Sequence, residues 1–413
     1  MNSGGLVTIS EANAIWAKTY GGSADDRAFH ALHVDQNSLI VGSTKSLSNT
    51  TMGWLLMLDN QGDLLWNQTY LDGAGTELRY AAAVSGGYLL VGNQFTSAGD
   101  VNGYIAKIDS IGSIIWQTVV GGDQTDKLFS GAVVSDGFIV CGLSNSYGGS
   151  GETAWALKLN NDGQVVWNKI YSIATDSALR SAVGSSGGIV AAGYQRSGDG
   201  SDDNFDFVLL KIASDGSLTW NRTYGDLNSQ KAYSITSALS GYVIVGDVTS
   251  SSSNTDAWVL RVDLEGSEIW SRTVGGSDYD SASYVTLGQD SFYLVTGFTF
   301  SFGEGYRDFW LFSIDDSGQV GFCTTFGNSA YQEAYAVIDA NNDQYIIVGW
   351  TDPLGQTDMV GKAHYDFYVA KLGVPETNIG FTSIRLVLTI TIFVLLIAIL
   401  LLFVKLHRNK KQV

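Results

Sequence analysis

The residues of this 413-residue chain best able to do chemistry are carboxylates. Four of them, Asp199, Asp202, Asp203 and Asp206, crowd into one loop rich in Ser and Gly. Several oxygens offered by one flexible loop are what a hard cation needs, so these four are the candidate metal ligands and Ca2+ is the one cofactor suggested. The competing reading is that such acids only cap turns and keep the surface hydrated. A second set recurs at a fixed place, the start of a β-type run: Asp206, Asp256, Asp308 and Asp366. A third, Asp26, Asp126 and Asp280, follows a Gly-Gly pair or its equivalent. Asp256, Asp308, Asp366, Asp26, Asp126 and Asp280 are expected to share one loop-rich face, the candidate interaction face.

Other motifs point away from catalysis. The runs Asp59 to Gly62, Asp109 to Gly112, Asp263 to Gly266 and Asp315 to Gly318 resemble fragments of calcium loops, but they lack the alternating oxygens and the distant Glu of such sites. Their spacing fits a hairpin in which Asp accepts from the backbone ahead and Gly takes positive φ. The pairs Gly21-Gly22, Gly121-Gly122 and Gly275-Gly276 are followed by neither Lys-Ser/Thr nor a helix, so they are not phosphate loops. His30 and His33 share a strand and face apart, while His364 and His407 lie in a loop and in the tail. No nucleophile with a base partner emerges, and no catalytic or cofactor-binding residue is assigned.

The elements that must position these carboxylates repeat. Residues 256–276, DAWVLRVDLEGSEIWSRTVGG, hold an apolar run, a four-residue turn, a second run ending in Trp, and a glycine pair. The frame recurs around Trp66, Trp116, Trp167, Trp220 and Phe322, and Trp16 opens the chain with its second half. A period near fifty predicts a propeller. Each unit reads as four strands, small in side chain at the first and aromatic at the last, as a wedge narrowing towards an axis demands. Seven first strands are counted, near Ala28, Tyr80, Phe129, Ala178, Ala232, Ala282 and Ala334. The seventh unit stops at Lys371 with no fourth strand, and Ile15 to Tyr20 is the spare. The expected fold is therefore all-β: a seven-bladed β-propeller over 14–373, closed by the N-terminal strand, after an extension at 1–13.

Past residue 373 the composition changes. A linker, 374–383, leads to 384–404, where Leu386 to Val404 are apolar except Thr389 and Thr391, and the tail 405–413 is basic. That is the length and character of one transmembrane helix, with the tail on the cytoplasmic side and the propeller outside the cell. No signal peptide is visible at the start, so a tail-anchored protein with a cytosolic propeller is the alternative topology. The sequons Asn49 to Thr51, Asn67 to Thr69 and Asn221 to Thr223 agree with the outside placement. The formal charge is −18; five of the 23 bases and one of the 41 acids lie beyond residue 375, which leaves 18 bases against 40 acids, or −22, for the rest. Such a surface repels nucleic acid and favours cations, proteins or glycans. Cys141 and Cys323 fall in different blades, which argues against a disulfide.

The strings W-x-K-T-Y-G-G (Trp16 to Gly22), G-Y-x-x-V-G (Gly241 to Gly246) and D-x-x-G-x-x-x-W (Asp59 to Trp66, Asp109 to Trp116) resemble the repeats of archaeal and bacterial surface β-propellers. The last string also looks like the tryptophan-docking repeat of pyrroloquinoline quinone propellers. That likeness implies eight blades, calcium, an adjacent cysteine pair and a catalytic Asp; here seven blades are counted and no Cys-Cys occurs. Three functions follow as expectations: a membrane-anchored extracellular propeller that binds a protein or glycan without catalysis, a quinoprotein-like or carbohydrate-active enzyme with its site at the channel mouth, or a self-associating surface scaffold.

Overall fold

The computed structural model describes residues 9–11, 14–147, 151–197, 204–225, 228–250, 254–288, 292–303, 306–327, 331–340, 344–352 and 365–373. All their regular structure is β, and among them no helix is long and apolar enough to cross a membrane. The chain divides into residues 1–373 and 374–413, and the second unit, with the expected membrane span at 384–404, lies outside the described residues.

Seven antiparallel sheets form the first unit. Blades 1 to 6 cover residues 26–70, 75–120, 126–171, 177–224, 229–274 and 280–326, each with four strands in chain order. Blade 7 takes three strands from 332–373, and its fourth is Ala14–Tyr20, paired antiparallel with Asp366–Gly373. First strands touch in a closed cycle, from Asp26–Val34 round to Gln332–Asp339 and back, so the sheets surround an axis. This is a seven-bladed β-propeller closed by its N-terminal strand. One strand was not anticipated: Ile9–Glu11, within the expected extension, pairs parallel with Val320–Phe326 and makes blade 6 five-stranded.

The repeat motifs have distinct mechanical roles. At the Asp-x-x-Gly turns the Asp carboxylate accepts two backbone N–H groups, as Asp109 does from Ile111 at 3.0 Å and Ser113 at 2.8 Å, and those bonds hold its pKa below the usual value. The outer-strand Trp then docks on the turn of the next blade. Trp16, Trp116, Trp167 and Trp270 each donate an indole N–H at 2.9 Å to a carbonyl there, of Asn60, Asn161, Ser214 and Asp316. Tyr70 and Tyr171 add hydroxyl bonds to the carbonyls of Gly112 and Gly216. At Gly163 φ is +78°, and a Cβ there would also lie 2.5 Å from the Trp116 ring, so both backbone and packing require glycine. Between blades the faces close into apolar clusters, such as Leu39, Leu55, Leu90 and Ala106 of blades 1 and 2.

A second glycine has another cause. Every first strand carries a β-bulge, after Ala28, Leu78, Leu128, Leu179, Ala232, Ala282 and Ala334. Beside it the carbonyl of the preceding residue leans over the second strand. A Cβ at Gly42, Gly92, Gly142, Gly193, Gly246, Gly297 or Gly349 would meet that oxygen at 1.7–2.0 Å. The final Gly of G-Y-x-x-V-G is thus the partner of the bulge.

Candidate binding site in the axial channel

A bulge inserts one residue that opposes nothing on the neighbouring strand and re-aims its side chain. Here the seven inserted residues are Phe29, Arg79, Phe129, Arg180, Tyr233, Ser283 and Tyr335, and all seven line one axial cavity of about 460 Å3. They interleave around it. The Arg79 guanidinium lies 4.0 Å from the Phe29 ring centroid and the Arg180 guanidinium 4.0 Å from that of Phe129. Tyr233 flanks Arg180 at 6.0 Å, and Tyr335 meets Phe29 at 5.2 Å between centroids. Ser283 is the one small member, and Ser181, Ile235, Thr236, Val285 and Thr286 also line the cavity.

The next residue of each strand forms a second layer. Three of its members, Ser130, Ser181 and Ser234, accept backbone N–H groups of the following blade, from Ala182, Ile235 and Val285. In the same layer His30 is buried, its Nε2 is 3.2 Å from the Tyr284 hydroxyl, and burial lowers its pKa to about 4. His30 is therefore neutral at physiological pH.

Acids gather on the side of the cavity formed by blades 5 to 7. Asp247, buried on the second strand of blade 5, accepts hydroxyls of Ser281 at 2.5 Å, Tyr233 at 3.0 Å and Tyr279 at 3.4 Å. Burial lifts its pKa to about 7, against those hydrogen bonds. Glu333, also raised by burial, is paired with Arg307 at 3.0 Å. Arg79 is paired with Glu77 at 2.5 Å.

Several carboxylates of the candidate interaction face serve the frame. Asp26, Asp126 and Asp280 are fully buried. Asp26 accepts the Gly22 N–H at 3.0 Å and the Ser46 hydroxyl at 2.6 Å, Asp126 those of Gly122 and Ser146 at 2.7 Å, and Asp280 those of Gly276 at 2.6 Å and Ser301 at 2.7 Å. They clip the crossing between blades to the second strand, with these oxygens occupied inside the frame. Asp308 is buried too, and a Cβ at Gly303 or Gly327 would fall 2.1 or 2.5 Å from its oxygens. Asp256 is half-buried against Gly275, and burial with the nearby Asp280 raises its pKa to about 6. Asp366 is half-buried at the start of its strand. Of the candidate calcium ligands, Asp199, Asp202 and Asp203 lie outside the described residues, and Asp206 sits against Gly225. Among the described residues no three potential ligands cluster. Cys141 and Cys323 are buried free thiols.

Sequence reasoning placed small residues on the first strands and passed over the ring. The signal was the exception: a bulky or charged residue in a strand otherwise of Ala, Ser and Val, as at Arg79 and Arg180.

No family model matches the chain, and no curated protein matches it in sequence. Solved structures do. One is the WD40 domain of Pan2 from Neurospora crassa, at 12% identity and a TM-score of 0.51, covering 88% of this chain and 97% of that one. Another is a puromycin hydrolase mutant complexed with PGG, at 13% identity and a TM-score of 0.50, covering 87% of this chain and 56% of that one. At such identities the likeness is one of fold, and a propeller fold by itself carries no activity.

Proposed function

We propose that this chain is a membrane-anchored binding protein whose propeller stands outside the cell and recognises an extracellular protein or glycan through its axial mouth and the loops around it. The observation that carries the reading is the inserted ring. Seven equivalent bulges hold Phe, Arg, Phe, Arg, Tyr, Ser and Tyr, whereas the fold asks only for a bulge. Residue choice at these positions answers to what enters the channel, and aromatic faces with a few polar groups are the lining of a small-ligand site. Anchorage is supported by the apolar run Leu386 to Val404 and the basic tail after it.

Protease treatment of intact cells carrying a tag at each end tests the reading. Digestion of the propeller with protection of the tail is expected. Protection of the propeller would instead make the chain tail-anchored and move its partner to the cytosol.

A second reading, a carbohydrate-active enzyme, is favoured by one feature. Asp247 lines the cavity with a pKa near 7, the range of a general acid. If glycan turnover is found and Asp247→Asn abolishes it while binding persists, this reading replaces the first.

A further inference from the structure

We infer that the axial cavity binds an acidic sugar, with the Arg180 guanidinium receiving its carboxylate; this rests on, and deepens, the reading of the channel as a binding site. Three arginines line the cavity, and two are neutralised internally, Arg79 by Glu77 and Arg307 by Glu333. Arg180 differs. Among the described residues no carboxylate lies within ion-pair distance of it, and its neighbours are the rings of Phe129 and Tyr233. Burial is the largest influence against its ionisation, and the Arg79 charge adds to it while Tyr194, Tyr233 and Tyr335 act in the opposite sense.

Arg180 is half-buried in the cavity wall, and without a carboxylate partner its charge contributes little to folding beyond its ring contacts. What it offers is a planar fork of N–H donors, whose complement is a pair of coplanar oxygens. A single negative charge suits the site better than a phosphate dianion, since Asp247 and Glu333 share the lumen. The remaining lining describes the body of the ligand. The lining combines the rings of Phe129 and Tyr233 with the hydroxyls of Ser181, Ser283, Thr236 and Thr286, which suits a ring with an apolar face and a hydroxyl edge. The volume is that of a small-ligand site.

The test uses the full chain in detergent, with glucuronate, glucose and N-acetylphenylalanine as probes in saturation-transfer NMR titrations. Glucuronate is expected to bind at least about tenfold more tightly than glucose, and Arg180→Gln to weaken it by about tenfold or more. Arg180→Lys, which keeps the charge and loses the fork, should fall between. Arg180→Gln should melt close to the wild-type temperature. Equal binding of glucuronate and glucose, no glucuronate binding up to about 10 mM, unchanged binding by Arg180→Gln, or a sharp drop in its melting temperature each overturns the proposal. Tighter binding of N-acetylphenylalanine than of glucuronate overturns the sugar assignment. Ser283→Trp, which fills the lumen, separates this failure from that of the parent reading. If both sugars bind equally and both are lost in Ser283→Trp, the channel remains the site and only the carboxylate falls. If cell-surface partner binding ignores Ser283→Trp, the channel itself is the wrong site.

Discussion

Each blade carries two bulges, and they have opposite sequence behaviour. On the outer strand the inserted residue just before the docking Trp is Ile15, Leu65, Ile115, Val166 or Ile269 in five blades, aliphatic and half-exposed each time, and Thr219 in blade 4. Blade 6, where Phe322 replaces Trp, has an irregularity of its own at Gly321-Phe322. On the inner strand the inserted residue is Phe29, Arg79, Phe129, Arg180, Tyr233, Ser283 or Tyr335. The same backbone device is largely uniform at the perimeter and varied at the axis. At the perimeter, Trp and Tyr repeat one contact with the next blade's turn, so a repeated residue gives a repeated bond. At the axis seven strands converge on one cavity, and a ligand without sevenfold symmetry is met only by residues that differ. Uniformity marks what builds the ring, and variation marks what the ring holds.

Changes to the uniform part should cost stability wherever they are made, and the largest is at the closure. Deleting residues 1–22 removes Ala14–Tyr20 from blade 7 together with the Trp16 and Tyr20 bonds to blade 1. Urea denaturation of the truncated chain should show loss of the cooperative transition or a midpoint far below that of the full chain; equal midpoints would mean that the ring does not depend on its closing strand. Next comes the glycine beside the inner bulge. In Gly142→Ala the new methyl meets the Lys127 carbonyl at 1.7 Å, backbone that yields only with the strand, and about 3 kcal/mol or more should be lost. A loss under about 0.5 kcal/mol would show that the bulge relaxes freely.

How much of this was legible in the sequence follows the same division. The period, the seven blades and the closing strand could all be read because Trp66, Trp116 and their counterparts mark every unit. The turns were legible because Asp109 and Gly112 act within four residues of one another. The inner bulge was not. Gly142 and Phe129 sit on separate strands, and their relation appears only when those strands pair with one residue to spare. Glu77 and Glu333 also follow crossings between blades but do not repeat the role of Asp26. Register places Thr76 and Gln332 where Asp26 stands, so Glu77 and Glu333 fall one position further on, beside Arg79 and Arg307. A single slip in a strand exchanges its two faces, and no composition argument detects it. The expected membrane span at Leu386 to Val404 rests on composition alone and lies outside the described residues.

Smaller effects sharpen the contrast. Trp116 is half-buried rather than enclosed, and it combines a ring packed on Gly163 with one hydrogen bond to Asn161. Trp116→Ala should therefore cost about 3 kcal/mol, at the low end for a large aromatic. The same substitution at Trp270, docked alike on Asp316, should cost about as much; a difference beyond about 1 kcal/mol would break the claim that the perimeter is one bond repeated.

At the axis the effect should depend on pH instead. Asp247 has a folded-state pKa near 7 against 3.8 for the free side chain, so the folded protein favours its neutral form. Its contribution to stability is full below pH 3.8 and is lost as pH rises towards 7. His30, depressed to about 4 from 6.5, acts in the opposite sense: its contribution is full above 6.5 and is lost as pH falls towards 4. Asp247→Asn keeps one acceptor oxygen, for either Ser281 or Tyr233, and turns an amide N–H donor to the other hydroxyl, but it has no charge to bury. Between pH 5 and pH 8 the variant should lose about 2 kcal/mol less stability than the wild type. Urea midpoints at the two pH values would measure this, and parallel losses in both proteins would mean that Asp247 is solvated and that the channel is wetter than its lining implies.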